Sequence, residues 1–437
     1  AWTSGSPQFG ECQESMRKEV EKMGVNGRGN NSSQIELGLA PMEGVTDFAT
    51  RLWITQNSAP DFTTTPFLRV TKDYPCKRIS ANFFPESELS RQHGIVTCIP
   101  QLMASEEDDL IRVARHFLES VPFVDINCGC PSPTVVGHGA GSSLLRDPRR
   151  FESYLGKIVG TLGAGRVSVK MRLGFDHQDE FDALLDVLAQ FPLARLTIHG
   201  RTRADRYSGY ARWSFMETAA QRLRYPVFGS GDVLDHASLQ MRLQEAPSVS
   251  GVIVGRGALR NPWIFSSLRG ENTKTGRACF RSAFIQFALL QELQANHWSE
   301  FSRAVFDGVF SPLVNGHGEV RCIAVDEQNR ELLMRTLFRN QSFCSDPRGW
   351  QIGRVSVARA KMIWNYLRSG LKIAPESTVA LLRAPDWPVF LDALEKIVDT
   401  LDEDDIGLEY HKSWDWVFAG AGRSEGSPEI QRTSGSS

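Results

Sequence analysis

Eight short runs rich in apolar and β-branched residues recur between positions 35 and 254, and the segments between them decide the fold class. The runs are 35–41, 61–65, 95–101, 123–127, 167–172, 195–199, 226–229 and 251–254. Most are followed by a stretch of helical character. Segment 104–121 is typical: acids Glu106, Glu107, Asp108 and Asp109 open it, and Leu110, Val113, Phe117 and Val121 recur at helical spacing. Segments 147–159, 179–190, 213–223 and 236–243 behave alike. Strands that alternate with helices pair in parallel. Eight such units in succession predict an α/β fold of the closed (β/α)8 TIM-barrel type, because an open sheet rarely needs eight equal units.

The chain has 437 residues, enough for a barrel of about 250 residues and a second domain. After Asn261-Pro262 the strand signals give way to helical periods, with helices expected at 282–297, 355–369 and 387–399. The resulting division is a flexible N-terminal tail over 1–33 with one short helix near 14–23, a barrel over 34–270, a helical domain over 277–415 and a disordered tail over 420–437. The stretch 298–352 mixes apolar runs with polar turns and yields no clear element. No uninterrupted apolar run is long enough to span a membrane, and the first residues lack a signal-peptide core. The eight cysteines are scattered and none has zinc-ligand spacing, so they read as reduced thiols of a cytoplasmic protein without a metal. The chain is expected to be monomeric. The net charge of −2 excludes a uniformly basic coat for nucleic acid but leaves room for a local basic face.

Barrels deliver chemistry at the C-terminal ends of their strands. Those ends carry Pro41, Met42 and Glu43; Gln101; Asn127, Cys128 and Cys130; Lys170 and Arg172; His199; Ser230, Gly231 and Asp232; and Gly255 and Arg256. Glycine turns after the seventh and eighth strands let backbone approach a ligand closely, and these loops are where barrels commonly hold phosphate. Ordinary tight turns would explain either loop alone; both together favour phosphate. Lys170 and Arg172 alternate with apolar residues in VSVKMRLG, so they share the lumen face of their strand. A cation there needs an anion, which is either a ligand or a lumen carboxylate such as Asp125 or Glu43. Cys130 follows Gly129 and precedes Pro131, which places it at the rim, whereas Cys128 lies back on the strand and reads as structural. An unperturbed thiol of pKa about 8.5 is mostly protonated at neutral pH and can donate a proton.

The motifs APMEGVTD, DINCGCPSPTVVGHGAGSSLL, VKMRLG, IHGRT and VIVGRGAL together resemble the tRNA-dihydrouridine synthase family, most closely its bacterial C-type subfamily, which modifies position 16 of the D-loop. The resemblance covers about residues 36–265, with a weaker echo at VSVARAKMIWNYLRSGL. It implies FMN on the barrel mouth, contacted by Pro41, Met42, Glu43, Gln101, Lys170 and His199, with Ser230, Gly231, Asp232, Gly255 and Arg256 at its phosphate end. It implies NADPH as transient reductant, Cys130 as proton donor to uridine C5, and tRNA contacts through Arg69, Asn127 and Arg172. Two positions depart from the family pattern: Ser230 stands where Asn is usual, and Pro66 in TTPF where an acid is common. Relative to compact members, 298–352 looks like an insertion.

The base must leave its stack to lie on a flavin, so the enzyme needs contacts to the surrounding RNA. On the helix expected at 355–369, Arg354, Lys361 and Arg368 recur every seven residues as a basic stripe, with Val355, Met362 and Tyr366 as the apolar face and Arg359 among them, either in a buried ion pair or directed at the tRNA. A solvated surface explains the stripe equally well without the resemblance. Two other functions stay open: an FMN barrel of the dihydroorotate or dihydropyrimidine dehydrogenase sort, and an idle RNA-binding barrel. Intact Cys130, Lys170 and His199 speak against the second. No GxGxxG fingerprint is present, so no separate dinucleotide domain is expected.

Overall fold

The computed structural model describes residues 35–75, 84–86, 96–271, 277–296, 351–368, 371, 373 and 375–401. The expected tails at 1–33 and 420–437, the helix near 14–23, residues 402–415 and nearly all of 298–352 lie outside the described residues.

The eight runs form parallel strands: β1 (Glu36–Leu39), β2 (Phe62–Thr64, continued by Leu68–Arg69), β3 (Thr97–Ile99 and Gln101–Met103), β4 (Val124–Cys128), β5 (Val167–Arg172), β6 (Leu196–His199), β7 (Val227–Ser230) and β8 (Gly251–Val254). Each pairs with its successor, and β8 returns to β1 through Glu36↔Gly251 and Leu39↔Val254. Closure depends on β3. Its first half pairs with β2 and its second half with β4, and the two halves meet at Pro100, whose missing N–H interrupts the ladder. The backbone runs straight through: Gln101 N donates to Thr65 Oγ1 at 2.9 Å and Asp125 N to Pro100 O at 2.9 Å. The sequence reading stopped β3 at Gln101; the structure carries it on to Met103.

Side chains alternate across the barrel wall. On β5, Val167, Val169 and Met171 face the outer core, which leaves Ser168, Lys170 and Arg172 for the lumen. The lumen floor is aromatic, with Phe62 and Phe228 edge to face and the Arg195 guanidinium 4.0 Å from the Phe62 ring.

The outer helices are α1 (Phe48–Asn57), α2 (Glu107–Phe117), α3 (Pro148–Leu162), α4 (Phe181–Leu188), α5 (Ser214–Arg222) and α6 (His236–Glu245), followed by short helices Arg256–Arg260 and Ile264–Leu268. Asp147 accepts from Arg149 N and Arg150 N to start α3, with Pro148 at its first position. The appended domain contains α7 (Arg277–Asn296), α8 (Arg354–Leu367), α9 (Pro375–Arg383) and α10 (Trp387–Thr400).

The sequence reading missed α1. All ten of its residues are buried, because α1 lies between the barrel and α7, so FATRLWITQN shows no polar face. Its polar groups are matched across that interface: Trp53 Nε1 donates to Ala283 O at 2.8 Å, and Gln286 Nε2 to Gln56 Oε1 at 2.7 Å. On α8 the expected apolar face is corrected. Val355 is exposed, while Val357, Ala360, Ile363, Trp364 and Leu367 are buried. The basic stripe divides as well: Arg354 and Arg368 are exposed, but Lys361 donates to Ala384 O at 2.6 Å and ties α8 to the α9–α10 turn. Among the described residues no helix is long and apolar enough to cross a membrane.

Candidate active site

The strand ends converge on one mouth. Asn127 on β4 begins the turn that carries Cys130, and its Oδ1 accepts from Gly129 N at 3.1 Å and Cys130 N at 2.9 Å. Asn127 Nδ2 donates to Gln101 Oε1 at 2.8 Å, Gln101 Nε2 to Asp125 Oδ2 at 2.7 Å, and Ser168 Oγ to Asp125 Oδ1 at 2.5 Å. The chain has a direction. A carboxylate only accepts, which turns the Gln101 amide one way; the backbone N–H pair at the far end only donates, which turns the Asn127 amide the matching way. Buried polar groups across β3, β4 and β5 are thereby spent on holding the Cys130 turn. Gln101 has no exposed surface, so it stands behind the mouth rather than in contact with a ligand there.

Cys130 is half-buried beside Met103, Val135 and Ala140. Burial raises its thiol pKa above the ordinary value; the Ser132 backbone pulls it down, the Glu43 charge pushes it up, and Arg172 and Lys170 pull it down. The net direction keeps it protonated at neutral pH, as a proton donor requires. Cys128 is fully buried in the core, where burial raises its thiol further, so it is structural.

Lys170 reaches into the mouth from β5. Neither Asp125 nor Glu43 pairs with it, because Asp125 is occupied by Gln101 and Ser168; its ammonium has no hydrogen-bond or ion-pair partner among the described residues. Protein surrounds it, yet part of its surface faces the open mouth. Burial and then Arg172 lower its pKa to about 8. His199, on β6, is 9% exposed. Burial first, then Arg172, Lys170, Arg201 and Arg256, push its pKa far below the usual value, so the ring is neutral. Its Nε2 meets Arg201 Nη1 at 3.3 Å, and Nδ1 has no partner among the described residues. Arg256 approaches the Tyr207 ring at 4.8 Å.

Several expected contacts fall elsewhere. Asp232 turns its carboxylate away from the mouth: Oδ1 pairs with Arg201 at 2.7 Å, both side chains fully buried, and Oδ2 accepts from Ala211 N. Only its backbone is available to a ligand. Gly231 holds φ +120°, and a Cβ there would lie 2.8 Å from Ala211 Cβ, so glycine is needed. Ser230 is 7% exposed at the end of β7. Arg172 lies along the mouth but donates to Gly129 O at 3.0 Å, Thr202 O at 2.9 Å and Arg206 O at 2.7 Å, joining the loops after β4 and β6. Pro41, Met42 and Glu43 form the loop after β1, and a Cβ on Gly255 would lie 3.6 Å from Met42 Sδ, so the first and eighth loops adjoin. Arg69 is exposed beside the Cys130 cluster. It lines a cavity of about 260 Å³ with Lys72 and His138, whose walls include Met103 and Ala140 from the Cys130 cluster.

Arg359, from α8, spends its guanidinium on the loop after β1: Nη1 to Gly44 O at 2.5 Å, and Nη2 to Val45 O at 2.8 Å and Asp47 Oδ2 at 2.7 Å. Of the two roles foreseen for an Arg amid apolar residues, the ion pair is the one observed. Sequence reasoning also missed Tyr207 and Tyr366. Tyr207 rises from the long loop after β6 with its ring centroid 6.3 Å from that of His199. Tyr366 on α8 lies close enough to Arg256 and Tyr207 to interact with both, so the helical domain contributes to the mouth. The aromatic DRYSGY segment was the available signal for Tyr207.

Fold and site together define a (β/α)8 barrel with an electropositive mouth, an unpaired ammonium inside it and a protonated thiol at its rim. The dihydrouridine synthase family model matches residues 38–305, and the chain belongs to this family. Similar relatives include a tRNA-dihydrouridine(16) synthase of Pasteurella multocida, 32% identical over 54% of this chain and 77% of that protein. A probable tRNA-dihydrouridine synthase of Rickettsia conorii is 31% identical over 57% of this chain and 73% of its own length. A tRNA-dihydrouridine(47) synthase [NAD(P)(+)]-like protein of Oryza sativa subsp. japonica is 32% identical over 43% of this chain but 27% of its own. Among solved structures, morphinone reductase aligns with a TM-score of 0.38 at 13% identity, over 56% of this chain and 89% of that one.

Proposed function

We propose that this chain is an FMN-dependent tRNA-dihydrouridine synthase that reduces the C5–C6 bond of a uridine in the tRNA D-loop, at position 16, with NADPH as electron source. The observation that carries the reading is the unpartnered Lys170 ammonium beside the open edge of the His199 ring, in the same mouth that Cys130 borders. An unpaired buried ammonium costs free energy that an anionic ligand relieves, and a flavin offers an acceptor-rich ring and a phosphate. The residues fit that group: Lys170 and His199 would donate to it, Gly231 and Gly255 would allow close approach, and Arg256 would add positive charge for its phosphate.

Bound FMN, reduced by NADPH, supplies the hydride for uridine C6. The chain's part is to present the base and the proton. Cys130 gives its Sγ proton to C5 as the double bond is reduced, and the resulting thiolate lies within reach of the positive fields of Arg172 and Lys170. Asn127, through the turn it holds, fixes where that proton is delivered. The basic mouth, exposed Arg69, and Arg354 and Arg368 on α8 offer surface for the phosphates flanking the extruded base.

The test is NADPH oxidation by purified, flavin-loaded protein offered either tRNA lacking dihydrouridine or free pyrimidines. Turnover with tRNA alone supports the proposal. Turnover with free pyrimidines and none with tRNA assigns the barrel to pyrimidine metabolism instead.

A further inference from the structure

We propose that Arg201 is a positioning residue that holds His199 in the neutral Nδ1–H tautomer, which makes the ring a fixed hydrogen-bond donor to an oxygen acceptor bound in the mouth. The inference deepens the flavin reading and rests on it for the identity of the acceptor.

Arg201 follows β6 by two residues and is fully buried. Its Nη2 reaches Asp232 Oδ1 at 2.7 Å and Gly209 O at 2.5 Å, while Nε donates to Ser208 O at 3.3 Å and Gly209 O at 3.2 Å. Asp232 is held in turn by Ala211 N. The guanidinium is therefore fixed by the loops after β6 and β7, and its remaining nitrogen, Nη1, faces His199 Nε2 at 3.3 Å. A guanidinium has no acceptor, so the nitrogen opposite must offer a lone pair. A neutral imidazole has one N–H, which then resides on Nδ1. Nδ1 meets no protein partner among the described residues and is not sealed from solvent.

The surroundings oppose the doubly protonated ring. Lys170 and Arg172 face His199 from β5, Arg201 from its own strand end and Arg256 from the loop after β8; Tyr207 adjoins it, and the Asp232 carboxylate is already paired with Arg201. His199 is thus unlike a surface histidine, which changes charge near pH 6.5 and loses its acceptor nitrogen. A donor that does not titrate keeps one hydrogen-bonding pattern across physiological pH, which suits a cofactor that must stay seated through each turnover.

Long-range 1H–15N NMR of the 15N-histidine-labelled protein reads the tautomer directly, with His199 assigned from the signal lost in His199→Gln. The expected spectrum has Nδ1 protonated, Nε2 unprotonated and no titration between about pH 5.5 and 8. In Arg201→Met the Nε2–H form should appear and the ring should begin to titrate; should that variant fail to fold, the wild-type spectrum still decides. A wild-type ring with Nε2 protonated, or one that titrates near 6.5, overturns the inference. The readout needs neither flavin nor RNA, so its failure leaves the proposed activity standing, and failure of the activity leaves the tautomer measurable.

Discussion

At the scale of single residues, Lys170 carries a cost that only a ligand repays. Its pKa falls from the ordinary lysine value to about 8 because burial and Arg172 penalise the charge. Below about pH 8 the amine is protonated, and holding that charge costs the folded, ligand-free protein roughly 3 kcal/mol before discounting for the open mouth. Lys170→Met is therefore expected to raise or leave unchanged the Tm of flavin-free protein while abolishing flavin retention, as thermal denaturation and visible absorbance would show. In the wild type, flavin affinity should fall as pH rises through about 8, since the neutral amine no longer attracts an anion. Cys130 behaves oppositely in role: raised above the ordinary thiol range, it keeps its proton, so turnover should be lost only on the alkaline side of that range. Asp125→Ala removes the acceptor that orients Gln101 and Asn127, and kcat should drop about 10-fold or more, equal to roughly 1.4 kcal/mol. Asp125→Asn keeps a carbonyl facing Gln101 and should recover most of that loss; equal loss in both variants would contradict the orienting role. The sequence showed Lys170 facing the lumen, because strand alternation is a strict period of two. It did not show the relay, because Asp125, Gln101, Asn127 and Ser168 come from three strands and their meeting depends on register.

At the scale of elements, legibility followed exposure. Strands β5 and β8 kept their expected bounds, and α2 was plain because one face is wet. Helix α1 was hidden because neither face is wet, and β3 runs two residues past its expected end at Gln101. Asp47 links these elements: it caps α1 by accepting from Thr50 N at 2.9 Å and pairs with Arg359 of α8. Arg359→Ala frees the loop after β1 from the helical domain and leaves Asp47 without its cation. It should destabilise by about 1.5–3 kcal/mol, measured by urea unfolding, and quicken proteolysis between the domains. Unchanged stability would mean that α7 alone carries the junction through Gln286 and Gln291.

At the scale of the whole molecule, a closed parallel barrel brings residues from eight separate segments to one face, and the helical domain completes that face through Arg359 and Tyr366. The division of labour follows from this architecture: the barrel holds donors and thiol, and the second domain borders the entrance with Arg354 and Arg368 exposed. The central claim is that Cys130 delivers the proton to a uracil carried by tRNA. The most direct measurement is mass mapping of D-loop nucleosides after wild-type and Cys130→Ala protein, each loaded with flavin, act with NADPH on tRNA lacking dihydrouridine. The account predicts a gain of two hydrogens at a single D-loop uridine with the wild type, and retained flavin without that gain in the variant. Full conversion by Cys130→Ala, or no gain with flavin-loaded wild type, would contradict it.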